Sequence, residues 1–190
     1  MNFSIVTKPT FDPVTLSEAL AHCRVDNSDD DGLLVNYILA ARQYLEDMCG
    51  LCFATQTLDA TLDCEWPEVI QLPRAPAQSI TSISYVDTAG ATQVLASNQY
   101  VAALKRYVPT IAPAYGIAWP AVRDQTDAVT VRYVAGFGAT PSDTPEALRQ
   151  ALLLLVGHWY ENREAVVVGT SVVDMPKAVD ALVAPYRRFY

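Results

Sequence analysis

The chain is poor in charge, in histidine and in long apolar runs. Charged residues make up 18% of its 190 positions, below the usual quarter for soluble proteins. A folded chain short of charge often hides part of its surface against partners, which favours an oligomer. The two histidines, His22 and His158, lie far apart in the sequence, so the paired ligands of an H-E-x-x-H metallohydrolase are absent. No G-x-S-x-G, no phosphate-binding P-loop and no tight pair of metal-ligand motifs occurs. Gly136-Phe137-Gly138 lacks the spacing of a phosphate loop. The longest apolar stretch, Ala151–Val156, is far short of the roughly 20 residues a membrane span needs. No basic segment followed by an apolar run opens the chain. That predicts a protein made and kept in the cytosol, with Cys23, Cys49, Cys52 and Cys64 reduced.

Basic clusters are missing as well. The net charge is −8, and residues 1–60 hold nine acids against three bases. Tight DNA binding needs grouped Lys and Arg to neutralise phosphates. A pair such as Arg187-Arg188 is too small for that, which argues against a sequence-specific DNA binder.

What is present is a helical pattern, then a strand pattern, then a helical one again. Residues 1–14 read as an extended arm punctuated by Pro9 and Pro13. Thr15-Leu16-Ser17-Glu18 fits a capping box, followed by Leu16, Ala19, Leu20 and Cys23 at helical spacing. A second helix is expected after Ser28, with Asp29, Asp30 and Asp31 in its first turn, where the helix dipole favours negative charge. Its apolar face runs from Leu34 to Met48, and Gly50 is the expected stop.

From about Thr55 the hydrophobic period shortens to two. Strands are predicted over 58–62, 69–72, 80–86, 92–95, 99–103, 107–111 and 128–134. Helix returns at Thr144-Pro145-Glu146, with Thr144 the predicted N-cap and Pro145 the first helical residue. Leu148, Ala151, Leu152, Leu155 and Trp159 form one face. Leu153, Leu154 and Val156 widen it beyond a normal stripe, and a helix apolar on most sides is buried on most sides. These three are therefore the predicted subunit contact. A short helix from Pro176 is ended by Pro185. The tail that follows, Tyr186, Arg187, Arg188, Phe189 and Tyr190, is rich in the residue types of binding hot spots. The expected fold class is α+β: a helical body carrying a small antiparallel β insertion. The segments are 1–54 (arm and two helices), 55–138 (β insertion) and 139–190 (C-terminal helices and tail).

Chemistry finds few footholds. Cys49-Gly50-Leu51-Cys52 is a C-x-x-C, but a redox pair needs its first thiol at a helix N-terminus, and Cys49 ends a helix. Zinc would need a second tight ligand pair, so buried inert thiols are the better reading. Asn27–Gly32 echoes a calcium loop, yet Ile38 stands where a bidentate Glu is required. His158 and Glu161 lie one helical turn apart without any further catalytic partner. No enzyme, cofactor or metal is expected; an assembly or interaction protein is.

Several blocks, in order along nearly the whole chain, carry a resemblance. They are Leu16-Ser17-Glu18-Ala19 with His22-Cys23-Arg24-Val25-Asp26; Tyr44-Leu45-Glu46 before Cys49-Gly50; Leu72-Pro73-Arg74-Ala75-Pro76; Val131–Gly138; Pro145–Val166 with its His158-Trp159-Tyr160-Glu161-Asn162-Arg163-Glu164; and Ala181–Arg187. Together they resemble the head–tail connector (adaptor) proteins of tailed phages, in the larger form with a β insertion. That resemblance implies a ring, commonly of twelve copies, below the portal protein in the neck of a phage, prophage-derived or other phage-like virion, assembled in the host cytoplasm. The ring would extend the channel DNA passes through after packaging, and would receive a stopper or tail-completion protein. It also implies that the tail, residues 186–190, docks on the portal or on a neighbouring subunit of the ring; the alternative is a tail folded back onto its own subunit. The alternatives are another neck ring, such as a stopper or tail terminator, and a small thiol-redox protein using Cys49 and Cys52.

Overall fold

The computed structural model describes residues 1–163 and 177–188. Residues 164–176, with the expected helix start at Pro176, and Phe189 and Tyr190 lie outside the described residues. The protein is α+β. Its elements in order are β1 (Asn2–Thr7), α1 (Leu16–Cys23), α2 (Asp31–Cys49), β2 (Gln56–Leu62), β3 (Ile70–Gln71), β4 (Ala77–Val86), β5 (Thr92–Val94), β6 (Tyr100–Ala103), β7 (Thr110–Pro113), β8 (Val129–Ala135), α3 (Glu146–Glu161) and α4 (Lys177–Val183). The chain divides into two compact units, one of residues 1–10 and 55–136, the other of 11–54 and the described part of 137–189.

The β unit holds a five-stranded sheet in the order β1-β2-β8-β4-β5 and a three-stranded sheet in the order β3-β7-β6. All strand pairs are antiparallel. The alternation read in 128–134 is the pleat of β8, whose Val129, Val131, Tyr133 and Ala135 are fully buried while Arg132 faces out. Leu58 and Ala60 of β2 and Ile83 of β4 continue the buried face through the pairs Leu58–Tyr133, Ala60–Val131 and Ile83–Val131. Ile70, Leu72 and Ile111, in and beside the three-stranded sheet, are also fully buried. On the outer face Arg132 makes a bidentate pair with Asp59 across the β2–β8 ladder, at 2.7 Å for each bond.

The residues expected to form an extended arm instead supply a strand. Asn2–Ile5 pair with Leu58–Thr61 of β2, so the first residues belong with the sheet and not with the helices that follow. The Leu72–Pro76 block also acquires a role. Tyr133, buried under the sheet, accepts a hydrogen bond on its hydroxyl from the Arg74 backbone N–H at 3.2 Å. The Arg74 guanidinium lies 4.7 Å over the Phe3 ring of β1.

The helical unit is built on local stop and start signals. Both halves of the capping box form: Glu18 N–H donates to the Thr15 hydroxyl and Thr15 N–H to the Glu18 carboxylate. The Thr15 N–H, then the Thr15 hydroxyl and Arg149, donate to the Glu18 carboxylate and hold it below its ordinary pKa. Gly50 ends α2 in the left-handed region at φ 66°, and its N–H donates to the Glu46 carbonyl. Two expectations shift. Helix α2 starts at Asp31, so Asp29 and Asp30 precede it, and Asp30 occupies the N-cap without a side-chain cap bond. At α3 the cap is Pro145, not Thr144. The Thr144 hydroxyl is buried and turned to the Phe53 carbonyl at 3.4 Å, an acceptor 91 residues away that no local pattern announces.

Candidate functional site

Helix α3 organises the helical unit. Leu148, Ala151, Leu152, Leu155 and Val156 are buried against α1, α2 and α4. Val156 is therefore corrected as a contact residue: with 0% of its surface exposed it has nothing to offer a neighbouring copy. Leu153 and Leu154 stay half-buried. Trp159, expected in the core, is also half-buried and sits edge-on to Tyr37 and Tyr44 of α2 at 6.2 and 6.4 Å.

Beyond Trp159 the polar cluster forms a clamp. The Tyr160 hydroxyl donates to the Asp30 carboxylate at 2.6 Å, and Arg163 donates to the same oxygen at 2.9 Å. Arg163 also stacks 4.9 Å over the Tyr160 ring. The cluster thus ties the end of α3 to the start of α2. Asp30 is held below its ordinary pKa, first by the Tyr160 hydrogen bond and then by Arg163. A depressed carboxylate stabilises the fold above its unfolded pKa, and this is lost as pH falls through the folded value. In urea titrations, Asp30→Asn should therefore be less stable than the parent near neutral pH. The two curves should converge at pH values below the ordinary aspartate value of 3.8.

Both histidines of the chain line one cleft. His22, Cys23, Leu154, Gly157, His158 and Glu161 surround about 230 Å³ between α1 and α3. Gly157 permits the approach, since a Cβ there would come within 3.1 Å of the His22 ring. Even so, no group of three or more His, Cys, Asp or Glu able to hold a metal exists among the described residues. Cys49 and Cys52 are buried and not joined by a disulfide. Burial raises the Cys49 pKa, opposed by nearby Arg187, so the thiolate needed for redox attack is disfavoured.

The tail begins closer to its own fold than its composition suggests. Helix α4 gives way at Ala184 to a short 3-10 turn containing Pro185. Arg187 then pairs with Asp180 at 2.6 Å and reaches the Met48 sulfur, and Arg188 N–H donates to the Cys49 carbonyl at 3.2 Å. Tyr186 is half-buried.

Sequence reasoning passed over surfaces of the β unit. Trp66 stacks on Trp119 at 4.7 Å with Tyr85 edge-on. Tyr115 projects fully into solvent from a tight turn closed by the Ile117 N–H to Ala114 carbonyl bond, with Gly116 at φ 74°. The Tyr-Gly pair between Pro113 and Ile117 was the available signal. No helix among the described residues is long and apolar enough to cross a membrane.

No curated protein matches the chain. Solved structures do. A chain of the virion of a native gene transfer agent particle superposes with a TM-score of 0.84 at 26% identity, covering 100% of this chain and 97% of the other. Chains from the neck of an empty gene transfer agent particle, computed with C6 symmetry, and from the neck of the native particle, computed with C12 symmetry, give TM-scores of 0.78 and 0.75. Their identities are 27% and 26%, over the same shares of both chains. The model of the phage gp6-like head-tail connector proteins matches residues 13–114, more than half the chain, including α1, α2 and the first strands after them. This chain belongs to the phage gp6-like head-tail connector protein family.

Proposed function

We propose that this protein is the adaptor subunit in the neck of a tailed phage or phage-like particle. Copies form a ring, twelve in the assembled particle, beneath the portal protein. The ring extends the DNA channel and presents its far face to a stopper or tail-completion protein. The observation that carries the reading is end-to-end likeness to chains from gene transfer agent necks of cyclic symmetry. Charge supports it: an acidic chain repels the phosphate backbone, which suits a wall that DNA slides past. The reading assigns the protein no reaction, cofactor or metal. A stopper or tail terminator is disfavoured by α1, α2 and α3, since those neck rings are mainly β in fold.

Contacts between ring neighbours are assigned to Leu153 and Leu154. Docking on the portal is assigned to the tail, residues 186–190, with Arg187 and Arg188 as its stem on α2 and α4. The test is electron microscopy of the protein mixed with its cognate portal. A cyclic layer added below the portal is expected; portal rings without any added density overturn the reading. Two truncations then separate the tail's parts. Deleting 189–190 should leave the melting temperature unchanged and weaken portal binding at least tenfold. Deleting 186–190 should also lower the melting temperature, because the Arg187–Asp180 pair and the Arg188 bond to Cys49 go with it. Normal portal affinity in both truncations removes the tail from the docking surface.

A further inference from the structure

We propose that the five-stranded sheet continues from copy to copy, the free edge of β1 in one subunit pairing with the free edge of β5 in the next. This rests on the ring reading above. Strands β1 and β5 are the two ends of the sheet, and no described strand pairs with the outer side of either. Every neighbouring pair in the sheet is antiparallel, so four reversals give β1 and β5 the same direction. A second copy displaced along the sheet therefore sets its β1 beside the first copy's β5 as a parallel pair, with no inversion. That is the head-to-tail contact from which cyclic rings are made.

Neither edge is blunted by charge or proline, though β5 is only three residues long. Native edge strands are blunted by charge, proline or a covering segment. Strand β1, Asn2-Phe3-Ser4-Ile5-Val6-Thr7, has no charge and no proline; nor has β5, Thr92-Gln93-Val94. One bulge, between Ile5 and Thr7, leaves Asn2–Ile5 in regular register. Every residue of β1 and β5 is exposed, with Ile5 at 50%, Val6 at 46% and Val94 at 69%. Phe3 and Ile5 are opposite Ala60 and Leu58, on the buried face of the sheet. The core side of the sheet thus runs out under β1 with apolar residues still on it, and a strand added there would carry the core on. Strand addition of this kind draws affinity from main-chain hydrogen bonds and specificity from alternate side chains.

The experiment uses Ile5→Lys and Val94→Lys, each placing a charge on one edge. Both variants are checked first for a parental melting curve. By mass photometry, with and without the portal, each alone should lose rings at least tenfold. Mixed one to one, they should form dimers and stop there, because only one open β1 edge then meets one open β5 edge. Val94→Lys that still dimerises by itself would mean that β1 pairs with its own copy across a two-fold axis, which overturns the proposal. So would normal rings from either variant. An unfolded variant is replaced by Ser4→Lys or Thr92→Lys at the same edge, read in the same way. If the unaltered protein forms no ring with or without its portal, it is the connector reading that fails, which keeps the two outcomes apart.

Discussion

Leu155→Ala should lower the unfolding free energy by about 2–5 kcal/mol, the range for emptying a well-packed leucine site. Leu155 is 2% exposed, and its neighbours Leu152 and Val156 are fully buried. The helices around it have little freedom to collapse into the cavity, since α2 is tied to α3 through Trp159 and through the Asp30 clamp. Leu153 and Leu154, on the same helix, are half-buried and should behave differently. Leu153→Asp and Leu154→Asp should cost far less in the isolated subunit, since an aspartate at a half-buried helix position can turn its carboxylate toward water. Buried between ring neighbours, the same carboxylate would be desolvated without a partner, and rings should be lost. Circular dichroism with urea reads the first effect and mass photometry the second. Normal rings from both charged variants would remove α3 from the subunit contact.

Where a structural signal is local, the sequence showed it. The ends of α1 and α2 were legible because the Thr15–Glu18 capping box and the Gly50 stop are each written within four residues. Strand β8 was legible because burial on one face imposes strict alternation from Val129 to Ala135. Strand β4, over Ala77–Val86, was read three residues short, since bulges between Ala77 and Ser79 and between Ile80 and Ser82 break its alternation. Strand β1 was read only as extended chain: its partner lies more than fifty residues away, and its apolar residues are not buried to mark a face. Helical periodicity singled out Leu153, Leu154 and Val156 together, but which side a neighbouring element covers depends on α1, α2 and α4, and Val156 proved to be on the covered side. Family-like blocks were visible as motifs without their work being visible. Leu72–Pro76 holds Tyr133 through the Arg74 backbone, and Trp159–Arg163 fastens α3 to α2. Both are architecture, which fits a protein whose function is to hold a shape within an assembly.

A second large effect is expected at Glu46. This residue is 8% exposed in the last turns of α2. One carboxylate oxygen accepts the buried Phe53 N–H at 2.6 Å. The other lies 3.9 Å from the Arg42 guanidinium, which in turn binds Asp12 at 2.6 Å. The Glu46 carbonyl meanwhile accepts the N–H groups of Gly50 and Leu51 as the helix closes. One residue therefore governs how the chain leaves α2 and is linked through Arg42 to the segment that enters α1. Arg42 keeps Asp12 as its counter-charge, so the main loss on removing the Glu46 side chain is the Phe53 N–H left buried without this acceptor, about 1–3 kcal/mol. Glu46→Ala should lose that much. Glu46→Gln keeps an acceptor for Phe53 and should lose about 1 kcal/mol, the difference between a hydrogen bond to a charged and to a neutral acceptor. Arg42→Met, which removes the cation and keeps the apolar stem, should fall between them. Chemical denaturation of the three variants settles the order, and the account fails if Glu46→Ala loses less than Glu46→Gln. The expected order follows from geometry: the carboxylate serves a backbone N–H first and the arginine second, so the acceptor matters more than the charge.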